Sequence, residues 1–461
     1  MPRILPRPFD DLVDLRTDDQ RQADALRTGE QREQLLSLQN DDNQAELVRI
    51  LQERRAANTD AVVRFEMAER PLPPALVVPR EILLRSDPNQ DFAAADEILR
   101  AAGFEPRDLV DQPIESAELA ARLRSFTGPA DANLDLVLNT VGQLTDAGFE
   151  AAPTAVLVQH PVVKNNAGPA PSQPNLPDSD HLPEGRIVVA VIDTGIAAEI
   201  RTDGWLSEVR RRTADNVDPL DAFGGNPGPN GFLDFAAGHG TFVAGIVRHV
   251  DPEAEIRSYL ALDSDGFGSE LSVASAMIRA VREGADVVNL SLGMRTVDNQ
   301  PCLALETALD IIDEMSESLE PPALVASAGN YGDDRPVWPA ASRRVISVGA
   351  LAEDPDDRSQ FLTAQWSSRG VWVDCSTIGE GIVSTYVEGQ EDPVFGGTDI
   401  FPLIAWAVWS GTSFAAPQVA GAISRICREL NLRPRAAVRR LIRFGIPIPD
   451  FGRGLQILPG S

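Results

Sequence analysis

Four stretches in the second half of the chain are continuous apolar runs: IVVAVI (187–192), ADVVNLSL (285–292), ALVASAG (323–329) and RVISVGA (344–350). Alternation would mark strands with one wet face. Unbroken runs predict strands buried on both faces, as in a parallel sheet covered by helices. Between them, SELSVASAMIRAVREG (269–284) and CLALETALDIIDEMSESL (302–319) predict helices. Residues 186–446 therefore read as an open α/β sheet, in which active residues gather at the C-terminal ends of strands.

The first 185 residues have a different texture. Residues 18–58 lack proline and are rich in Gln, Glu, Arg and Leu, which predicts helix. Their apolar stripe is narrow (Leu35, Leu36, Leu38, then Leu47, Ile50, Leu51), as expected of a solvated helical pair on a neighbouring domain. Downstream, AVVRFEMA (61–68), EILLRSD (81–87) and TAVLVQHPVV (154–163) predict strands. Residues 92–104, 116–126 and 133–147 predict helices, the first ending at Gly103. The expected division is a helical segment (1–59), a small α+β domain (60–164), a Pro/Gly/Asn-rich linker (165–185), the α/β domain (186–446) and a C-terminal tail (447–461).

Charge narrows the partners. The 461 residues carry 69 acidic against 41 basic groups, a net charge of -28, and such a surface repels nucleic acid and anionic membranes. No run approaches 18 uncharged apolar residues, so no membrane span is expected. Three cysteines (Cys302, Cys375, Cys427) do not make a disulfide framework, and the first 20 residues show no apolar signal core. A reducing, cytoplasmic location is the expectation.

Three places put reactive side chains where the sheet wants them. Asp193 ends the strand VAVIDTGI; alone, it would read as a cap or turn residue. His239 lies between two glycines in AAGHGTFVAGIV, where small neighbours let another backbone come close. Ser413 opens a helix in WSGTSFAAPQVAGAIS; an isolated SGTS would read as an ordinary N-cap. Together they supply a weak nucleophile, a base to take its proton and a carboxylate to hold the base's tautomer.

In the chain order Asp193, His239, Ser413, these motifs resemble the subtilisin-like serine peptidases, the subtilases, over roughly 186–446. The resemblance implies a subtilisin-like parallel sheet and a serine endopeptidase acting on peptide or protein substrates through an acyl-enzyme. It assigns the oxyanion hole to the Asn330 amide with the Ser413 N–H. Substrate-binding edges fall at Ser291, Leu292, Gly293 and at Ser327, Ala328, Gly329. No cofactor is required for catalysis. A structural calcium is left open without any ligand, because the stretch after the His239 helix is short where many relatives carry a calcium loop.

Family positions usually held by His, Met and His are Phe242, Phe414 and Gln418 here, which implies repacking rather than inactivity. The pair Trp338–Pro339 falls where a cis peptide is expected. Residues 60–160 sit where subtilases carry an inhibitory propeptide, so the N-terminal region is expected to contact the catalytic domain in cis. Combined with the acidic charge and the missing leader, the whole suggests an intracellular processing or regulatory protease. The competing class is a binding or regulatory module on the same fold with little turnover.

Overall fold

The apolar runs become the centre of one large sheet in the computed structural model, which describes residues 4–37, 39, 41–56, 65–68, 75–87, 89–109, 117–159, 168–172, 187–211, 216–225, 227–316, 321–357 and 360–460. Its strands lie in the order β22 (Ile446–Pro447), β23 (Arg453–Gly454), β17 (Cys375–Ile378), β15 (Ile346–Glu353), β14 (Ala323–Ser327), β13 (Val287–Leu290), β7 (Val188–Asp193), β11 (Glu255–Leu260) and β8 (Arg210–Arg211). From β23 to β8 all neighbours run parallel. β22 and the short β16 (Phe361–Thr363) are antiparallel additions.

Both faces of β7 are covered, as its unbroken apolar run requires. Val189 and Val191 pack with Phe242 of α6 (His239–Val250) and Val419 of α9 (Thr412–Leu430). Ala190 and Ile192 face the other way, towards Ile278 of α7 (Glu270–Arg282) and Leu309 of α8 (Leu303–Met315). The stretch expected as a C-terminal tail instead supplies β23, after α10 (Pro434–Phe444), and Leu455, Ile457 and Leu458 are buried in the core.

The N-terminal α+β unit forms a second sheet, in the order β12 (Phe267–Ser269), β5 (Ala151–Val158), β2 (Ala75–Arg85), β4 (Leu123–Thr127) and β3 (Glu105–Arg107), with β1 (Glu66–Ala68) on β2. α3 (Ala93–Ala101) and α5 (Leu134–Asp146) cover one face, where Leu99 and Leu144 meet Ile82 and Leu84. Leu83 on the other face joins the cluster that contains α7 and α8. Of the expected helix 116–126, residue 116 lies outside the described residues and Ala117–Arg122 (α4) are helical. The next five residues pair with β2 instead, so tertiary pairing overrides helix propensity.

Of the expected strand 154–163, residues 154–158 lie in β5, whereas 160–163 fall outside the described residues. Within the expected linker, β6 (Ala170–Ser172) pairs with β21 (Trp406–Trp409), which also pairs with β18 (Ile382–Thr385). Residues 165–167 and 173–185 of that linker lie outside the described residues. Two small hairpins, β9–β10 (Gly224–Gly225, Gly228–Pro229) and β19–β20 (Gly389–Gln390, Ile400–Phe401), complete the strands.

The helical segment resolves into α1 (Asp18–Ser37) and α2 (Asp41–Ala56). The buried face of α1 is largely polar: Asp24, Thr28 and Gln31 lead to Leu35 at helical spacing. Gln31 donates to the Gly168 and Val408 carbonyls at 2.9 and 3.0 Å and accepts from the Ser410 hydroxyl at 2.7 Å. Buried amides fully partnered in this way stabilise the contact, whereas a greasy stripe is absent.

Glu270 ties the second sheet to α8. Fully buried at the start of α7, it accepts the Ala155 N–H of β5 and the Ala304 N–H of α8, each at 2.7 Å. Burial pushes its carboxyl up to about 7. Between roughly pH 4.5 and 7 the folded chain thus keeps a proton that the unfolded chain has shed, and stability falls as pH rises through that window. Asp218, pushed up to about 6, and Asp265, pushed up to about 7, act in the same direction. Thermal scans from pH 5 to 8 should show a falling midpoint, with a shallower fall in Glu270→Gln. An unchanged slope in that variant would remove Glu270 from the account.

Candidate active site

Asp193 is the last residue of β7, and His239 is the first of α6. Both are fully buried, and His239 Nδ1 lies 2.7 Å from Asp193 Oδ1. A carboxylate only accepts, so the imidazole proton belongs on Nδ1 and Nε2 keeps its lone pair. Among the described residues, Nε2 has no hydrogen-bond partner. The Thr194 N–H also donates to Asp193 Oδ1, at 2.8 Å, fixing the carboxylate's orientation.

Glycine makes this approach feasible. Gly238 caps α6 with φ +79°, a left-handed conformation that other residues adopt at a cost. At Gly240, a Cβ would collide with the Gly195 carbonyl of the turn after β7. The two turns carrying Asp193 and His239 can therefore close on each other.

Asp218, which the sequence reading passed over, bridges the same turns. Its Oδ2 accepts from the Thr194 hydroxyl at 2.8 Å and from the Gly238 N–H at 2.9 Å. Burial first, and then the field of Asp193, raise its carboxyl above the usual range. Its only sequence signal was an Asp in the loop before the histidine motif.

Ser413 is the second residue of α9, whose first backbone N–H groups have no intrahelical partners. Its hydroxyl donates to the Ser291 carbonyl at 3.2 Å, and the Ser291 hydroxyl donates back to the Ser413 carbonyl at 2.7 Å. Asn330 lies beside them. Its Oδ1 accepts from the Thr412 N–H at 3.0 Å and the Thr412 hydroxyl at 2.8 Å, which leaves Nδ2, near Gly411, as the amide's donor.

The departures from the family pattern repack. Phe414 lies 4.6 Å from Phe242 and 5.0 Å from Trp409 between ring centroids, and both Trp409 and Phe414 contact the His239 ring. The apolar run before Ser413 thus supplies a wall of the site. Gln418 donates to the Ile378 carbonyl at 2.8 Å and accepts from the Leu458 N–H at 3.1 Å, tying the C-terminal residues to the sheet. The Trp338–Pro339 peptide is cis.

One of the two expected edges carries an extended strand. Val158, at the end of β5, exchanges backbone hydrogen bonds with Gly293 at 3.4 and 2.9 Å. On its other side, β5 pairs with β12 and the Gln159 N–H reaches the Gly266 carbonyl at 3.1 Å. This second edge, 266–269, was not singled out from the sequence. Ser327, Ala328 and Gly329 sit instead at the end of β14, where Ala328 donates to the Val348 carbonyl and Gly329 to the Thr412 hydroxyl. Among the described residues, no cluster of His, Cys, Asp or Glu is arranged to hold a metal ion. No helix there is long and apolar enough to cross a membrane.

Comparison with known proteins gives the chain's relatives. The thermophilic serine proteinase of Bacillus sp. (strain AK1) is 30% identical over 265 residues, 55% of this chain and 55% of that one. Thermitase of Thermoactinomyces vulgaris is 34% identical over 194 residues, covering 40% of this chain and 59% of its own. This chain thus spans under two thirds of the length of either relative. Fervidolysin from Fervidobacterium pennivorans, described as a keratinolytic enzyme related to subtilisin, shares the fold at TM-score 0.53 and 19% identity, over 83% of this chain and 60% of that one. The family model described as "Subtilase family" matches residues 185–443, more than half of the sequence. The chain belongs to the subtilase family.

Proposed function

We propose that this subtilase is a serine endopeptidase using Ser413 as nucleophile, His239 as general base and then acid, and Asp193 to orient and stabilise the imidazolium. The observation that carries this reading is the 2.7 Å His239–Asp193 contact, which leaves Nε2 with its lone pair and, among the described residues, no hydrogen-bond partner. Ser413 Oγ attacks the scissile carbonyl as its proton passes to Nε2. The tetrahedral oxyanion is held by Asn330 Nδ2 and the Ser413 N–H. His239 then protonates the leaving amine, and water cleaves the acyl-enzyme by the reverse sequence. For the first step the Ser413 hydroxyl turns from the Ser291 carbonyl to Nε2; such catalytic contacts commonly tighten only with substrate bound.

Asn330 offers a graded test. In Asn330→Leu the triad side chains keep their partners while one oxyanion donor is lost. Turnover should fall on the order of 10²–10³-fold with KM little changed. A fall under about threefold would remove Asn330 from the oxyanion hole.

The N-terminal α+β unit is read as a propeptide-like domain that fills the cleft in cis. Support comes from Val158 and Gln159, which lie along Gly293 and Gly266 as an added strand would. Three buried cysteines that form no disulfide among the described residues suit action in a reducing compartment, on protein or peptide substrates. The binding-module reading draws on the same occupied cleft. Covalent labelling of Ser413 separates the two.

A further inference from the structure

A second charged constellation lies beside the 266–269 edge. The last turn of α2 presents Arg54 and Arg55 to four aspartates of the α/β unit. Arg54 pairs with Asp234 and Asp392 and lies 3.6 Å from Asp265; Arg55 reaches Asp263 at 2.6 Å and Asp265 at 3.5 Å. All six side chains are at most 6% exposed.

The carboxylates are held by their own surroundings. Asp234 accepts from the Ala222 N–H and the Ser264 hydroxyl, at 2.6 and 2.5 Å. Asp265 accepts the Phe235 N–H at 3.0 Å, Asp263 the Phe267 N–H at 3.1 Å, and Asp392 the Asn230 amide at 2.7 Å. None of these partners comes from α2, so these hydrogen bonds do not depend on it. With α2 away, the cluster would hold four buried carboxyl groups without the two arginines, and burial of that kind is offset by taking up protons or a cation.

Two further features specify the cation. The Arg54 guanidinium lies 5.3 Å from the Phe395 ring, and that of Arg55 lies 4.7 Å from Phe223 and 5.0 Å from Phe267. Flat aromatic faces around carboxylates suit a planar, weakly hydrated guanidinium better than a compact metal ion or an ammonium. The strand position next to the cluster also carries a mismatch. Gln159, 8% exposed, rests over Gly266, the residue after Asp265, and its Oε1 has no hydrogen-bond partner among the described residues.

We propose that Asp234, Asp263, Asp265 and Asp392, with Phe223, Phe267 and Phe395, form a guanidinium-binding subsite beside the substrate edge, filled in cis by Arg54 and Arg55 and open to arginyl peptides when α2 withdraws. It rests on the reading of 266–269 as a substrate edge, and it makes arginine a specificity determinant of the same cleft. Phe267 connects the two, since it lines the cage while its backbone pairs with Val158.

The test uses the full chain with Ser413→Ala, so that no turnover is needed, and Arg54→Ala/Arg55→Ala to empty the subsite. Nα-acetylarginine methylamide should raise its thermal midpoint saturably, by about 1–3 °C. The neutral citrulline counterpart should not, nor should either compound act on the chain retaining both arginines. Adding Asp263→Asn and Asp265→Asn should abolish the rise. Equal responses to the two compounds, or an undiminished response after the aspartate changes, would overturn the proposal. If the alanine pair does not fold, the single change Arg55→Ala empties the part of the subsite lined by Asp263, Phe223 and Phe267 and answers the same question. Failure here leaves covalent labelling of Ser413 untouched, so the two readings fall separately.

Discussion

Ser413→Ala should lower peptide hydrolysis on the order of 10⁶-fold, leaving only what binding and the oxyanion donors supply. The change removes one buried oxygen whose hydrogen bond to the Ser291 carbonyl is a neutral one at 3.2 Å. Circular dichroism and thermal midpoint should therefore barely move. If the N-terminal unit is a removable propeptide, wild-type chain should also be cut within or near residues 160–185 while Ser413→Ala stays whole. Wild type and variant that stay equally whole would count against that role. Residual activity within about tenfold of wild type would show that the nucleophile lies elsewhere.

Asp193→Asn should cost on the order of 10⁴-fold in kcat with the backbone unchanged. An amide in place of the carboxylate donates to His239 Nδ1, which drives the imidazole proton onto Nε2. The ring then meets the Ser413 hydroxyl with a donor instead of a lone pair. It also loses the negative charge that stabilises the imidazolium. Steady-state kinetics should show the loss in kcat, because Asp193 is fully buried and does not reach substrate. A loss carried by KM alone would contradict the role given to this carboxylate.

Much of this site was legible because its chemistry is punctuated. Asp193 follows six apolar residues, His239 sits between glycines, and Ser413 follows a Gly-Thr turn, so each reactive group marks its own junction. Gly240 shows the physical reason for one such signal, since the Gly195 carbonyl occupies the place of its Cβ. The 266–269 edge left no such mark. It acts through backbone pairing with β5, and DGFGS reads as a turn until a partner strand lies beside it.

Asp218 was hidden for a related reason. A loop aspartate is ordinary in a chain with 69 acidic residues, and only the folded turns make it a bridge between Thr194 and Gly238. The buried face of α1 escaped, though its packing on a neighbouring domain was expected, because that face is Asp24, Thr28 and Gln31 and hydrophobic periodicity does not detect satisfied polar contacts. Residues 123–126 were misread as helix because their pairing with β2 is non-local. The N-terminal arginines looked like ordinary solvated charge until Asp234 and its neighbours closed around them.

The central claim, that Ser413 is a nucleophile activated by His239 and Asp193, is tested most directly with a fluorophosphonate probe and peptide mapping by mass spectrometry. The account predicts a single covalent adduct on Ser413 of the purified chain, absent in Ser413→Ala and formed far more slowly in Asp193→Asn. No adduct on the wild-type chain, or equal labelling of Ser413→Ala, would contradict it.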